Sequence, residues 1–170
     1  METPEFTASA RTYDEIYLVQ NPALGAILQW EFVKGFKRQS ANASTALPLL
    51  FIVLPILFSE SLRTAIGKTN QSSGLRLFTA KFSKEQELLF AIQRRMLALR
   101  HTSLSSLRIA LDSGLLTLDC ATALVDCTYK RYPPNVPQTV RELGKHADKL
   151  GGWCGALSIQ EVQAALRIGF

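Results

Sequence analysis

At 170 residues the chain has room for one domain or two small, intimate ones. Hydrophobic residues are 47% and charged residues 19%, so either the core is larger than usual or some apolar surface is covered by a partner. No membrane-spanning helix is expected: the longest apolar run, Leu47 to Phe58, has twelve residues, against the roughly 20 a spanning helix requires, and reads as a buried helix.

The opening residues, METPEF, carry carboxylates and no apolar stretch, so no signal peptide is expected. Residues 1–12 read as a leader, with a short strand or extended arm over Tyr13 to Val19. Three cysteines, Cys120, Cys127 and Cys154, form no disulfide framework; reduced thiols in the cytoplasm are expected. Asn21-Pro22 is a helix start, with Asn as N-cap and Pro where its missing N–H costs nothing. Leu24, Ile27, Leu28 and Phe32 then repeat at helical spacing. The helix is expected to run to about Arg38 and end on Lys34, Lys37 and Arg38, which suit its negative terminus.

QSANAST is a polar loop, and Thr45 is placed to cap a second helix, LPLLFIVLPILF, apolar all round and kinked or ended by Pro55. Ser59-Glu60 favours a further start, closed near Gly67. Asn70 to Gly74 is a turn, followed by a short helix in which Leu75, Leu77 and Phe78 anchor the segment. Ser83 and Gln86 have capping-box spacing before a helix over Lys84–Arg100 with Leu88, Leu89, Ile92, Met96 and Leu99 on one face. Thr102 or Ser103 would cap the next helix, which Gly114 ends. Leu115–Asp119 and Ala123–Cys127 read as a hairpin. YPPNVP is an extended connector, Val140–Leu150 an amphipathic helix, and Ser158 with Glu161 a capping box for the last helix.

The net charge of +5 is unevenly spread. Between Glu60 and Ala110 nine cations face three carboxylates, a net +6, while the rest of the chain carries −1. Such a stretch suits nucleic acid or an acidic protein surface. Within it lies Ile66–Phe82, IGKTNQSSGLRLFTAKF, whose Gly-Lys-Thr is not a phosphate-binding loop. That motif needs a glycine five residues before its second one, and Leu62 stands there, on a helix rather than after a strand. Cys120 and Cys127 are the only nearby cysteine pair, and His101, His146 and Cys154 are remote, so no zinc set forms. His101 sits at a helix junction and His146 on a charged face beside Lys145, Asp148 and Lys149; neither has a nucleophile motif. No catalytic residue, metal or cofactor is therefore expected.

Helix, turn, helix and hairpin in succession is the order of a winged helix; an irregular helical bundle with one hairpin has the same pattern. In a winged helix, TSLSSLRIALDS would be the reading helix, yet it offers only Arg108 against Asp112, poor for base edges. Phosphate contact through Arg94, Arg95 and Arg100 stays open as a weak, non-specific DNA interaction. Partner anchors are available at Phe36, Phe78, Phe82, Phe170 and Trp153, the last in a glycine-rich context; each could equally be core.

IGKTNQSSGLRLFTAKF, with RTYDEIYLVQNPALGAILQWEFVKGF before it and LRIALDSGLLTLD after it, resembles the middle component of the bacterial three-component ABC ATPase conflict systems. The resemblance runs from about Arg11 to Phe170. It implies an adaptor, without chemistry of its own, between a chromosome-maintenance-like ABC ATPase and an effector in anti-phage defence. The expected fold is mainly α with a small β-hairpin and a winged-helix-like unit. The expected organisation is one domain over 13–170, or a close tandem of 13–82 and 83–170. Lys68, Asn70, Ser73, Gly74, Arg76 and Lys81 are the expected partner surface.

Overall fold

The computed structural model describes residues 21–132 and 134–170. The expected leader and the strand or arm over Tyr13 to Val19 lie outside the described residues. Asn21 caps helix α1 (Pro22–Gln39), its side chain accepting from the Leu24 N–H at 3.1 Å. The first helix thus begins where its local signals put it, one residue longer at the far end.

Thr45 does not cap a helix. Thr45–Ala46 form strand β1, and Thr45 pairs with Val125. The following 3₁₀ segment starts at Leu47, so Ala46 holds the cap position and Thr45 stands one residue too early to cap it. The apolar run enters as a 3₁₀ segment, Leu47–Ile52, and tightens into α2 (Val53–Leu57). Pro55 is tolerated because it falls in the first turn of α2, where an N–H has no intrahelical partner. Helix α3 (Glu60–Gly67) follows, then a single 3₁₀ turn, Gln71–Ser73, and α4 (Gly74–Ala80). Gly74 takes a positive φ of 75°, as its place in the turn requires.

Helix α5 (Gln86–Ala98) starts later than the Ser83–Gln86 spacing predicts. Residues 79–85 wind through successive tight turns, with the Phe82, Ser83 and Glu85 N–H groups donating three residues back. Ser83 is therefore not extended, and the Gln86 amide reaches its carbonyl at 3.3 Å rather than its N–H. Helix α6 (Arg100–Asp112) begins immediately, with Leu99 as both the end of α5 and the start of α6. Thr102 and Ser103 consequently lie inside α6, not at its cap. Gly114 ends α6 as expected: at φ 66° it lets its own N–H reach Leu111 and the Leu115 N–H reach Ala110, closing the last carbonyls.

Strands β2 (Leu116–Asp119) and β3 (Leu124–Cys127) form the hairpin. The sheet has a third member: β1 pairs antiparallel with β3, giving the order β1-β3-β2. Helix α7 (Gln138–Gly155) extends past the expected Leu150 through GGWCG. Its neighbour explains this. The α1–α7 contact is the most extensive between helices, and it is seamed with glycine. A Cβ on Gly35 would strike the Asp148 carbonyl, and one on Gly151 the Phe32 carbonyl. Glycine's helix cost of about 1 kcal/mol is offset by backbone-to-backbone approach. The Ser158–Glu161 capping box forms as read and opens α8 (Ile159–Leu166).

The buried apolar side chains make one cluster from Leu24 to Ile168, centred on Trp30, Phe32, Leu54, Ile56, Phe78 and Trp153. The fold is mainly helical with a small antiparallel sheet. Among the described residues no single helix is long and apolar enough to cross a membrane. Leu47–Leu57 and Glu60–Gly67 would suffice only as a pair, and they meet at a 99° bend.

Candidate functional site

The segment from Ile66 to Phe82 is a fastened loop. Three side chains hold the backbone from the end of α3 to the 3₁₀ turn after it. Lys149 of α7 donates to the Ile66 carbonyl at 3.2 Å and the Thr69 carbonyl at 2.9 Å. Lys81 donates to the Lys68 carbonyl at 3.0 Å and the Thr69 hydroxyl at 2.6 Å. Trp153 of α7 donates its indole N–H to the Gln71 carbonyl at 2.9 Å. Cations at a helix C-terminus also meet its dipole favourably.

The six expected surface residues divide accordingly. Lys68 and Lys81 are brought together, but through the Lys68 carbonyl, so Lys81 is spent on the loop. Lys68 and Asn70 are exposed, and Ser73 and Gly74 are partly buried. Arg76 points to solvent and meets Glu161 of α8 at 2.8 Å, with its side chain 73% exposed. The Ser158 N–H and hydroxyl, assisted by Arg76, hold the Glu161 carboxyl below its usual range. Leu75 and Phe78 anchor α4, while Leu77 is exposed and does not. The Phe78 ring lies 5.4 Å from Phe82 and 5.5 Å from Trp153.

Of the aromatic anchors, Phe36, Phe78, Phe82 and Trp153 are core, and Phe170 alone is exposed. Trp153 is buried because the glycines around it admit α1, not because it waits for a partner. Sequence reasoning missed Lys149 and Trp153 as loop fasteners, since nothing local ties them to residues about 80 positions earlier.

Arg94, Arg95 and Arg100 are on α5 and its junction with α6, Arg94 and Arg100 exposed and Arg95 half-buried. None of the ion pairs among the described residues involves them. Phe90 and Leu97, unmarked in the sequence reading, are exposed on the same helix. A helical wheel was the available signal, because both lie one residue beyond the buried Leu89 and Met96.

His146 is not a surface charge. It is half-buried against Gly67 of α3, and its pKa is lowered by burial, then by Lys149 and Arg63. It lines a largely apolar groove of about 720 Å³ with Leu24, Ile27, Arg63, Val140 and Leu143. A second, polar hollow of about 470 Å³ holds Glu31, Lys34, Tyr132, Arg141, Lys145 and Asp148. Burial, then the nearby Glu31 carboxylate, pushes the Tyr132 hydroxyl upward. Cys120 is exposed at the hairpin tip, while Cys127 and Cys154 are buried, free thiols. Among the described residues no three His, Cys, Asp or Glu side chains converge.

A family model described as ABC-three component (ABC-3C) system Middle Component 3 matches residues 9–170. No curated protein and no solved structure matches the chain.

Proposed function

The chain belongs to the Middle Component 3 family of ABC-three component systems, and from that membership we propose that it is a non-catalytic adaptor. It couples a chromosome-maintenance-like ABC ATPase to an effector in bacterial anti-phage defence. We take it to work in the cytoplasm, as a single unit over 13–170, with no cofactor of its own.

The observation that carries this reading is the fastened loop. Hydrogen bonds from Lys149, Lys81 and Trp153 hold the backbone of residues 66–71 while Lys68, Asn70 and Arg76 face solvent. Ordering such a surface before binding removes much of the entropy cost of the contact. Arginine at a contact centre is a frequent anchor.

The sheet order supports a winged-helix-like core within this adaptor. Helices α5 and α6 and the β2–β3 hairpin follow one another from Gln86 to Cys127, and β1 adds a third strand beside β3. Helix α6 would then hold the reading position. Its outward side chains include Leu104, Arg108 and Ile109, and Arg108 is drawn to Asp112 at 3.6 Å. That set suits a protein surface better than base edges. Weak DNA contact through Arg94, Arg95 and Arg100 is the second reading, favoured by their lack of carboxylate partners among the described residues.

Co-expression of the three components with Arg76→Glu tests the adaptor reading. Assembly with one subunit should weaken while the isolated chain melts as the wild type does. Unchanged assembly would place the contact elsewhere. Preference for one duplex sequence at physiological salt would favour the DNA reading.

A further inference from the structure

An adaptor that joins two subunits needs two faces, and the 66–81 loop is one. Resting on that reading, we propose that the solvent face of α5, with the tail after α8, is the second, and that it receives an acidic amphipathic helix of a partner subunit.

Helix α5 buries Leu89, Ile92 and Met96. That commits Phe90, Arg94 and Leu97, at i, i+4 and i+7, to one outward stripe. Phe90 is 55% exposed and Leu97 66%. The tail enlarges the stripe. Ile168 is buried and pins it. The Gly169 N–H donates to the Gln93 side chain at 2.8 Å. The Arg167 guanidinium donates to Gln86 at 2.8 Å and lies 5.3 Å over the Phe90 ring. Phe170, 44% exposed, is thereby brought beside α5. Among the described residues Glu87, three residues before Phe90, is the one carboxylate on the stripe, against Arg94, Arg167 and, at the α6 junction, Arg100.

The chemistry of the occupant follows from this pairing. Leucine and phenylalanine left in water gain by burial against apolar side chains. Arginines beside them, without carboxylate partners among the described residues, take carboxylates in forked hydrogen bonds. Phe90 to Leu97 spans about 10 Å of helix, two turns, which matches the i, i+3, i+4 and i+7 anchors of a docked helix. A DNA backbone would use the arginines but leave Phe90 and Leu97 facing phosphate, where they gain nothing.

The test is pairwise binding of the full chain to the purified ATPase subunit and to the purified effector. Two variants are compared with wild type: Phe90→Asp with Leu97→Asp, and Arg94→Glu with Arg100→Glu. Lys145→Glu, in the α1–α7 hollow, is the surface control, and melting temperatures establish that each variant folds. The proposal expects both double variants to weaken binding to the same one subunit by about tenfold or more, with the control and the other subunit unaffected. Wild-type binding that both variants retain overturns this assignment and leaves the adaptor reading standing. Absence of wild-type binding to either subunit overturns both. Loss confined to the arginine variant, with wild-type binding displaced by duplex DNA, makes the face a phosphate site and overturns the protein occupant.

Discussion

The α1–α7 seam and the outer face of α5 are both helical, yet they use their residues in opposite ways. At the seam Gly35 and Gly151 remove side chains so that two backbones touch, and Trp30 and Trp153 are each 2% exposed nearby. On α5 the chain keeps its core residues to one stripe and leaves Phe90 and Leu97 in water among arginines. The seam has no slack and cannot serve a partner. The α5 face has little to do with holding the fold, so its apolar side chains call for another explanation. Position in the packing, rather than residue type, separates architecture from recognition: a tryptophan amid glycines is core, while a leucine amid arginines is surface.

Gly151→Ala should break the comparison at its strongest point. The new methyl meets the Phe32 carbonyl, and the helices must part. A loss of about 3 kcal/mol and a fall of about 10 °C in melting temperature are expected by calorimetry. An unshifted transition would mean that the seam is loose.

Trp153→Phe removes the N–H that meets the Gln71 carbonyl at 2.9 Å and replaces a buried indole with a smaller ring. About 2 kcal/mol should be lost, from the hydrogen bond and the space left behind. Amide exchange should quicken over residues 68–74, linking the seam to the loop it fastens. Exchange that quickens across the whole chain instead would mean that the bond has no local role.

His146 sharpens the picture through pH. Burial, Lys149 and Arg63 lower its pKa below the ordinary 6.5, against a smaller opposing pull from Glu142. The unfolded state therefore binds the proton first. The stabilising contribution is fully present above pH 6.5 and is lost as pH falls from there towards the folded value. Melting temperature should decline less between pH 7.5 and 5.5 in His146→Gln than in wild type; parallel curves would contradict this.

The smallest effect on stability belongs to α5. Phe90→Ser with Leu97→Ser should leave stability within about 0.5 kcal/mol of wild type. A large drop in chemical denaturation would make that face part of the core and cancel the contrast with the seam.

Much of the fold was legible where the signal is local. Asn21-Pro22, Gly114 and the Ser158–Glu161 box marked helix ends that the structure keeps, because each is decided by neighbours in sequence. Thr45 misled because two residues become a strand only when Val125 and Leu124 lie beside them. Ser83 misled because the turns around the buried Phe82 deny it an extended backbone. The glycines of α7 read as a break, since their reason lies across the seam on α1. For the candidate site, the turn at Asn70–Gly74 was readable. The Glu161 partner of Arg76 and the Lys149 clamp were not, being tertiary contacts. Phe90 and Leu97 were within reach of a helical wheel, which the basic residues around them obscured.

The central claim is that this chain joins two other subunits, and its most direct test is light scattering on size-separated mixtures of the three purified components. The account predicts that the ABC ATPase and the effector co-migrate only when this chain is present, and that the joint species has a mass containing all three. Co-migration of the ATPase and effector without it, or elution of this chain alone from the mixture, would contradict the account.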